Sequence, residues 1–97
     1  MSIASRPGFT PKQGQYLAFI DAYTRVIGRP PAEADMQRFF SVTPPTVHQM
    51  VVNLERGGLI KRTPKVARSI EIIIPRDLLP PLQDGHNQSI KSSVQRY

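Results

Sequence analysis

The feature that constrains this chain most is a pair of prolines directly before an amphipathic segment that ends in two glycines, residues 44–58. A proline at the first or second helical position loses no hydrogen bond, because those positions have no intrahelical acceptor, whereas a proline further in breaks the helix. The pair therefore fixes where a helix starts. Thr43 precedes it as the N-cap, with a hydroxyl that accepts from a first-turn amide. Gly57 and Gly58 end the helix, one of them in the left-handed conformation.

At about 100° per residue, this helix has one aliphatic side and one polar side. The aliphatic side consists of Val47, Met50, Val51 and Leu54. An ordinary surface helix carries Glu and Lys on its outer side. Here that side presents small, amide-bearing or basic groups, together with Val52: Pro45, Thr46, His48, Gln49, Asn53 and Arg56. Such groups donate and accept at the edges of DNA bases, so we interpret residues 44–56 as a recognition helix.

Two helices are predicted before it. Residues 10–13 (TPKQ) have the form of a capping box, and Gly28 is the stop signal of the first helix. The broad apolar face of that helix is predicted to comprise Tyr16, Phe19, Ile20, Tyr23, Val26 and Ile27, with Leu17 at its margin. A second helix over residues 32–40 is predicted to bury Met36, Phe39 and Phe40. Two short helices joined by a three- to four-residue turn are typical of a helix-turn-helix.

A β-hairpin is predicted after the third helix. Residues 59–63 form its first strand and residues 69–74 its return strand, in which Ile70, Ile72 and Ile74 share the buried face while Ile73 points away. Lys65 and Arg68 are predicted to lie near the tip. The expected fold class is therefore α+β, a three-helix bundle followed by a two-stranded wing. The expected organisation is a flexible arm over residues 1–9, the folded domain over 10–75, and a partly flexible extension over 76–97, whose leucines pack on the body or on a second subunit.

Composition restricts the function classes. The chain has 97 residues, no cysteine and a formal charge of +6, so we exclude disulfides and thiolate metal sites and expect a single domain. No apolar run approaches the roughly 20 residues of a membrane span and no signal peptide is recognisable, so we expect a cytoplasmic protein. The positive charge collects after the third helix, with no acid in between, at Arg56, Lys61, Arg62, Lys65 and Arg68.

Several of these segments resemble winged helix-turn-helix domains, and most closely the N-terminal DNA-binding domain of the LexA repressor family. They are residues 9–13 (FTPKQ), 29–31 (RPP), 46–48 (TVH) and 54–60 (LERGGLI), within a match over about residues 9–75. The turn at residues 41–47 is also similar to MarR-type and metal-dependent repressors. Ser41 stands where the family has a turn glycine, and Ala32 where it has a Ser or Thr cap. The peptidase domain of LexA is not expected in this chain, nor is induction by self-cleavage.

The resemblance implies which side chains meet DNA. Base contacts are expected from Thr43, Pro45, Thr46, His48 and Gln49. Contacts to the DNA backbone are expected from Asn53 and Arg56 and, in the wing, from Lys65 and Arg68. The charge pattern adds Lys61 and Arg62 to the backbone contacts, and the first-turn amides beside Thr43 are expected to hold a phosphate. With about five phosphates neutralised, log K is expected to fall with log salt at a slope of roughly −4 to −5.

These observations predict sequence-specific binding of double-stranded DNA by a repressor-like regulator, acting as a homodimer because one module covers few base pairs. The alternative is a winged helix that binds only protein, and RNA binding is a lesser one. No catalytic constellation or cofactor motif is recognisable, so we do not expect an enzyme. His48 and His86 are isolated histidines, and no metal is expected.

Overall fold

The computed structural model describes residues 8–83, and within them three helices precede a two-stranded antiparallel sheet. The helices are α1 (Pro11–Ile27), α2 (Glu33–Phe40) and α3 (Pro44–Arg56). The strands are β1 (Ile60–Lys61) and β2 (Glu71–Ile72), and a 3₁₀ turn at Arg76–Leu78 follows. This order confirms the predicted winged helix. Residues 1–7 and 84–97 lie outside the described residues, as do the predicted flexibility of both ends and His86.

Local capping signals set the ends of α1 as predicted. The backbone N–H of Thr10 donates to Gln13 Oε1 at 2.9 Å, and the N–H of Gln13 donates to Thr10 Oγ1 at 3.1 Å, which completes the capping box. At the other end Gly28 is left-handed, with φ of 94°, and its N–H donates to the Thr24 carbonyl. Both ends therefore follow from short-range chemistry.

The turn between α2 and α3 is built on a left-handed serine. Ser41 has φ of 55°, and the N–H of Val42 donates to the Gln37 carbonyl at 3.2 Å, so the chain leaves α2 by a glycine-like route without glycine. Thr43 is the N-cap of α3, as predicted, but its hydroxyl accepts no helix amide. That part of the prediction is wrong. The Thr43 hydroxyl instead lies 2.9 Å from the Thr46 hydroxyl.

The core forms where the aliphatic side of α3 meets α1, α2 and the sheet. Val47, Val51 and Leu54 are fully buried, each with 0 % exposure, which confirms this side of the predicted helix. Aromatic rings of the first two helices close the core, with Tyr16 stacked on Phe40 at a centroid distance of 4.1 Å. The other buried hydrophobic residues include Leu17, Phe19, Ile20, Met36, Leu59, Ile60 and Ile70.

The predicted apolar face of α1 is wrong at its C-terminal end. Val26 is 80 % exposed and Ile27 52 %, whereas Leu17, which was assigned to the margin, is fully buried. The buried positions of α1 all lie between Gly14 and Ile20, residues 21–24 are half-buried, and the exposed last turn from Arg25 extends past the elements that cover the first part. Helical periodicity gives the direction of a side chain but not how far the neighbouring elements reach.

The sheet is shorter than predicted. Strands were expected over residues 59–63 and 69–74, but only Ile60 pairs with Ile72 and Lys61 with Glu71. Of the return strand, Ile70 is buried, and Ile72 and Ile74 pack on the core at partial exposure. Ile73 is 50 % exposed, which confirms that it points away. The hairpin beyond Lys61 therefore lacks a backbone ladder.

The segment after the sheet packs back on the body. The side-chain amide of Gln15 donates to the Pro81 carbonyl at 3.0 Å and accepts from the N–H of Gln83 at 2.8 Å. Gly14 leaves room for this contact, since a Cβ there would lie 3.0 Å from Pro80 Cγ. Leu79 and Leu82 pack against the core. The first part of the predicted extension, up to Gln83, thus lies on α1.

Two alanine substitutions on α1 test the extent of its buried face. Ile20 is 1 % exposed and Val26 80 %. We expect Ile20→Ala to lower the free energy of unfolding by about 2–5 kcal/mol, through lost burial and a residual cavity. The matched variant Val26→Ala is expected to change it by no more than about 0.5 kcal/mol. Urea unfolding followed by circular dichroism measures both, and equal losses would contradict this description of α1.

Candidate nucleic-acid interface

The polar side of α3 faces solvent along its length. Because Val47, Val51 and Leu54 are fully buried, the opposite side chains are turned outward. All seven predicted contact residues on or next to this helix are exposed: Thr43, Pro45, Thr46, His48, Gln49, Asn53 and Arg56. Val52, between them, is half-buried. The exposed strip is therefore continuous from the N-cap to the last turn.

Polar side chains of this strip are oriented by one another and by α2. The Gln49 amide donates to Asn53 Oδ1 at 3.1 Å, one turn along the helix. His48 Nδ1 lies 3.3 Å from Glu33 Oε2, which ties the imidazole to the start of α2. The amide of Gln49 has a second N–H and a carbonyl oxygen beyond this bond. The strip thus presents partly ordered donors and acceptors.

The start of α3 offers no free amide to a phosphate, so that expectation is wrong. Pro44 and Pro45 occupy the first two positions and have no N–H. The next two amides, of Thr46 and Val47, both donate to the Thr43 carbonyl, at 3.1 and 3.2 Å. The prolines that fix the helix start therefore also remove the usual anion site. The exposed hydroxyl groups of Thr43 and Thr46 lie at this end of the helix.

Two basic side chains at the base of the wing have carboxylate partners. Lys61 Nζ lies 3.3 Å from Glu71 Oε1 across the short ladder, with both side chains mostly exposed. Arg62 contacts Glu55 of α3 through Nη2 at 3.0 Å and Nε at 3.1 Å, and lies 3.8 Å from Glu33. Exposed pairs of this kind contribute roughly 0–1 kcal/mol, so a phosphate can take the place of either partner.

Arg68 lies differently from the prediction, because its guanidinium turns into the body. Its Nη1 is 3.0 Å from Asp35 Oδ2 and 3.3 Å from both the Tyr23 hydroxyl and the Pro30 carbonyl. Its backbone is left-handed, with φ of 56°. Lys65, also left-handed, stays exposed at the tip. Among residues 8–83, Lys65 and Arg56 are the predicted contact cations that have no carboxylate partner.

The family model of the LexA DNA binding domain matches residues 7–69, most of the chain. The chain belongs to the LexA DNA-binding domain family. It is 39 % identical over 64 residues to a LexA repressor of Thermosipho melanesiensis, covering 66 % of this chain and 32 % of that protein. It is 38 % identical over 64 residues to that of Thermosipho africanus, with 66 % and 32 % covered.

A third LexA repressor, from Magnetococcus marinus, is 35 % identical over 66 residues, which cover 68 % of this chain and 29 % of that protein. The chain therefore spans about a third of the length of the relatives it matches. It is a DNA-binding domain of the LexA type, and double-stranded DNA is its partner class. In the part of the chain that the structure describes, no helix is long and apolar enough to cross a bilayer.

Acidic residues that support this LexA-type surface were not among the predicted site residues. Glu33 holds His48, and Asp35 holds Arg68. Glu55 holds Arg62. Their partners are 7 to 33 residues away along the chain, so spacing on one helix does not reveal them. The sequence signal that could have revealed these pairs is a group of acidic residues close to a predicted basic surface, because such residues pair with cations.

Asp35 is a buried carboxylate, with 8 % exposure, and both of its oxygens accept hydrogen bonds. Its Oδ2 accepts from the Ala32 N–H at 2.8 Å as well as from Arg68, and its Oδ1 accepts from Arg38 at 2.6 Å. The hydrogen bond from Ala32 lowers the pKa of Asp35 most, burial opposes it, and the charges of Arg68 and Arg38 lower the pKa further. The carboxylate is therefore stabilised in its ionised form by the fold.

This lowered pKa gives folding stability a pH dependence. A carboxyl group with a lower pKa in the folded than in the unfolded state stabilises the fold above its ordinary pKa, here 3.8, and loses that contribution as pH falls through the folded value. We expect wild-type stability to fall with acidification below about pH 4, and Asp35→Asn to be less stable near neutrality but flatter in acid. Denaturant unfolding across this range measures both. Parallel profiles would assign the acid dependence to other carboxyl groups.

Proposed function

We propose that this chain binds double-stranded DNA sequence-specifically and acts as a repressor, with α3 in the major groove and the wing on the DNA backbone or in the minor groove. The observation that carries the proposal is the continuous exposed strip of hydroxyl, imidazole and amide groups on a helix whose other side is completely buried. A helix of this kind fits the major groove, where each base pair has its own donor and acceptor pattern.

The side chains of the strip suit different groups on the bases. Gln49 is able to bond an adenine through its second N–H and its carbonyl oxygen, and the Asn53 contact holds it in one orientation. Thr46 presents a methyl group suited to the thymine methyl. Thr43 and Pro45 flank it at the exposed start of the helix, and His48, held by Glu33, adds a ring nitrogen. These five residues are the proposed base-reading set.

Backbone contacts are proposed for Asn53 and Arg56 at the end of α3 and for Lys61, Arg62 and Lys65 in the wing. Arg68 is left out, because its guanidinium is held by Asp35, Tyr23 and Pro30. Four cations then remain to neutralise phosphates, and the expected salt slope becomes roughly −3.6 per protomer. Carboxylate partners of Lys61 and Arg62 would be displaced on binding.

A homodimer on a two-fold DNA site is the proposed assembly, since one helix reads only a few base pairs. The relatives are named repressors, which supports repression as the outcome for this chain. A regulator acting on DNA works in the cytoplasm of a bacterium, and we propose that location. We also propose that the chain is a regulator without enzymatic activity.

Salt dependence tests the electrostatic part of the proposal. Binding of the full chain to a mixed-sequence duplex is measured between about 50 and about 200 mM salt by fluorescence anisotropy. We expect a slope of log K near −3.6, and Lys65→Ala to make it shallower by about 1 on every sequence. Arg25→Ala removes the same charge from α1, where Arg25 pairs with Asp21, and serves as the control. A slope near zero would refute duplex binding through phosphates.

Base reading is tested on a duplex selected from random DNA. We expect Gln49→Ala to weaken binding to the selected duplex by about 1–3 kcal/mol while binding to random duplex stays unchanged. Double alanine substitution of His48 and Gln49 is expected to remove most of the preference. A selection that returns no common sequence would instead favour a winged helix that binds protein. A palindromic result would support the two-fold dimer.

A further inference from the structure

The wing of this domain has little to hold it in place. Its backbone ladder consists of two residue pairs and ends at Lys61 and Glu71. Residues 63–67 are all exposed, including Val66 at 54 %, so no apolar side chain of the loop is buried. A cleft of about 460 Å³ separates this loop from the start of α2 and the end of α3. Neither sheet pairing nor packing therefore determines where the tip lies.

The loop is closed within itself by Ser69. The N–H of Thr63 donates to Ser69 Oγ at 3.0 Å, and the Ser69 hydroxyl lies 2.8 Å from the Val66 carbonyl. The N–H of Val66 donates to the Thr63 carbonyl at 3.1 Å, which forms a turn around Lys65. Residues 63–69 thus form one small unit, and its position depends on the residue that connects it to the helical body.

Arg68 is that residue. Its Nη1 contacts Tyr23 in α1, the Pro30 carbonyl in the connector and Asp35 in α2, so one nitrogen joins the wing to three separate parts of the helical body. The acceptor carboxylate is itself fixed, being 9 % exposed and bonded to Ala32 and Arg38. A left-handed backbone at a non-glycine residue is unfavourable, and Arg68 adopts it while its side chain reaches inward.

We propose that Arg68 is a positioning residue that holds the wing against the helical body, and that Lys65, carried by the same loop, makes the phosphate contact. The proposal rests on the DNA binding proposed above and replaces the DNA-backbone contact that the family resemblance implied for Arg68. Arg62 holds the outgoing side of the hairpin to Glu55, and Arg68 holds the return side to Asp35. Losing the second contact leaves the buried side chain of Ile70, which follows the loop, as the nearest anchor on the return side.

The order of the wing in the free protein tests, without DNA, whether Arg68 holds the wing against the helical body. Backbone NMR order parameters of residues 63–69 are compared in wild type, Arg68→Ala and Arg25→Ala. Arg25 is an exposed residue of α1 that pairs with Asp21 and not with Asp35, and its loss removes the same charge. We expect order parameters of the loop to fall below about 0.6 in Arg68→Ala only. An unchanged loop in Arg68→Ala overturns the proposal, whether or not the protein binds DNA.

A double-mutant cycle tests whether Arg68 affects duplex binding through Lys65. Lys65→Ala and Arg68→Ala are each expected to weaken duplex binding about tenfold, as for one charge-assisted contact. If Arg68 acts through Lys65, the double variant loses about tenfold as well, whereas independent phosphate contacts multiply to about 100-fold. A multiplicative result overturns the positioning role. Failure of wild type to bind any duplex refutes the proposed function instead and leaves the NMR result standing.

Asp35→Asn tests the proposal in a variant for which charge alone and loss of the anchor predict opposite changes in duplex binding. The substitution removes a negative charge near the proposed DNA surface, so charge alone would strengthen binding to phosphates. Loss of the acceptor for Arg68 would weaken it, since a neutral amide holds the guanidinium less well than a carboxylate. We expect weaker duplex binding and a more mobile loop in a protein that unfolds cooperatively. Unchanged or tighter binding overturns the assignment of Asp35 as the anchor.

Discussion

The surface of this domain depends on the burial of one side of α3. Val47, Val51 and Leu54 are fully removed from solvent, and burial of an aliphatic side chain contributes roughly 1.5–3 kcal/mol. Rotating the helix by one position would expose this set and bury amide and imidazole groups without partners, at a further cost. The outward direction of Gln49 and His48 is therefore a consequence of the core. Burial of the aliphatic side sets this outward direction without any contact made by Gln49 or His48.

The start of the helix is fixed by a different constraint, and it has a consequence for anion binding. Two prolines fix the first turn, and Ser41 in a left-handed conformation brings the chain to them within three residues of α2. The same prolines remove two amides, while the Thr43 carbonyl accepts the next two. A helix N-terminus can bind phosphate, but the first-turn amides of α3 are not free to do so. In the proposed complex, affinity for the DNA backbone therefore depends more on the wing and on Arg56.

Sequence reasoning succeeded where the causes are local. Capping at Thr10, the proline start of α3 and the alternation in β2 all act over a few residues, so each could be predicted. It failed for Val26, because periodicity does not show where the covering elements stop. It also treated Arg68 and Lys65 as equivalent cations, although Arg68 pairs with a carboxylate 33 residues away. Which cation is held inside depends on the distance between separate elements, and no spacing rule within one helix or strand gives that distance.

The distribution of acids qualifies the meaning of the net charge of +6. Glu71, Glu55 and Asp35 lie next to Lys61, Arg62 and Arg68, so the basic stretch after α3 attracts phosphates less than its five cations suggest. Phosphate attraction supplies most non-specific binding to DNA, whereas contacts with base edges do not depend on it. Carboxylates beside the wing are therefore expected to lower binding to random and to correct sequence by a similar factor. In the proposed complex discrimination then rests on the polar strip of α3, and the wing contributes through where it is held as well as through its charge.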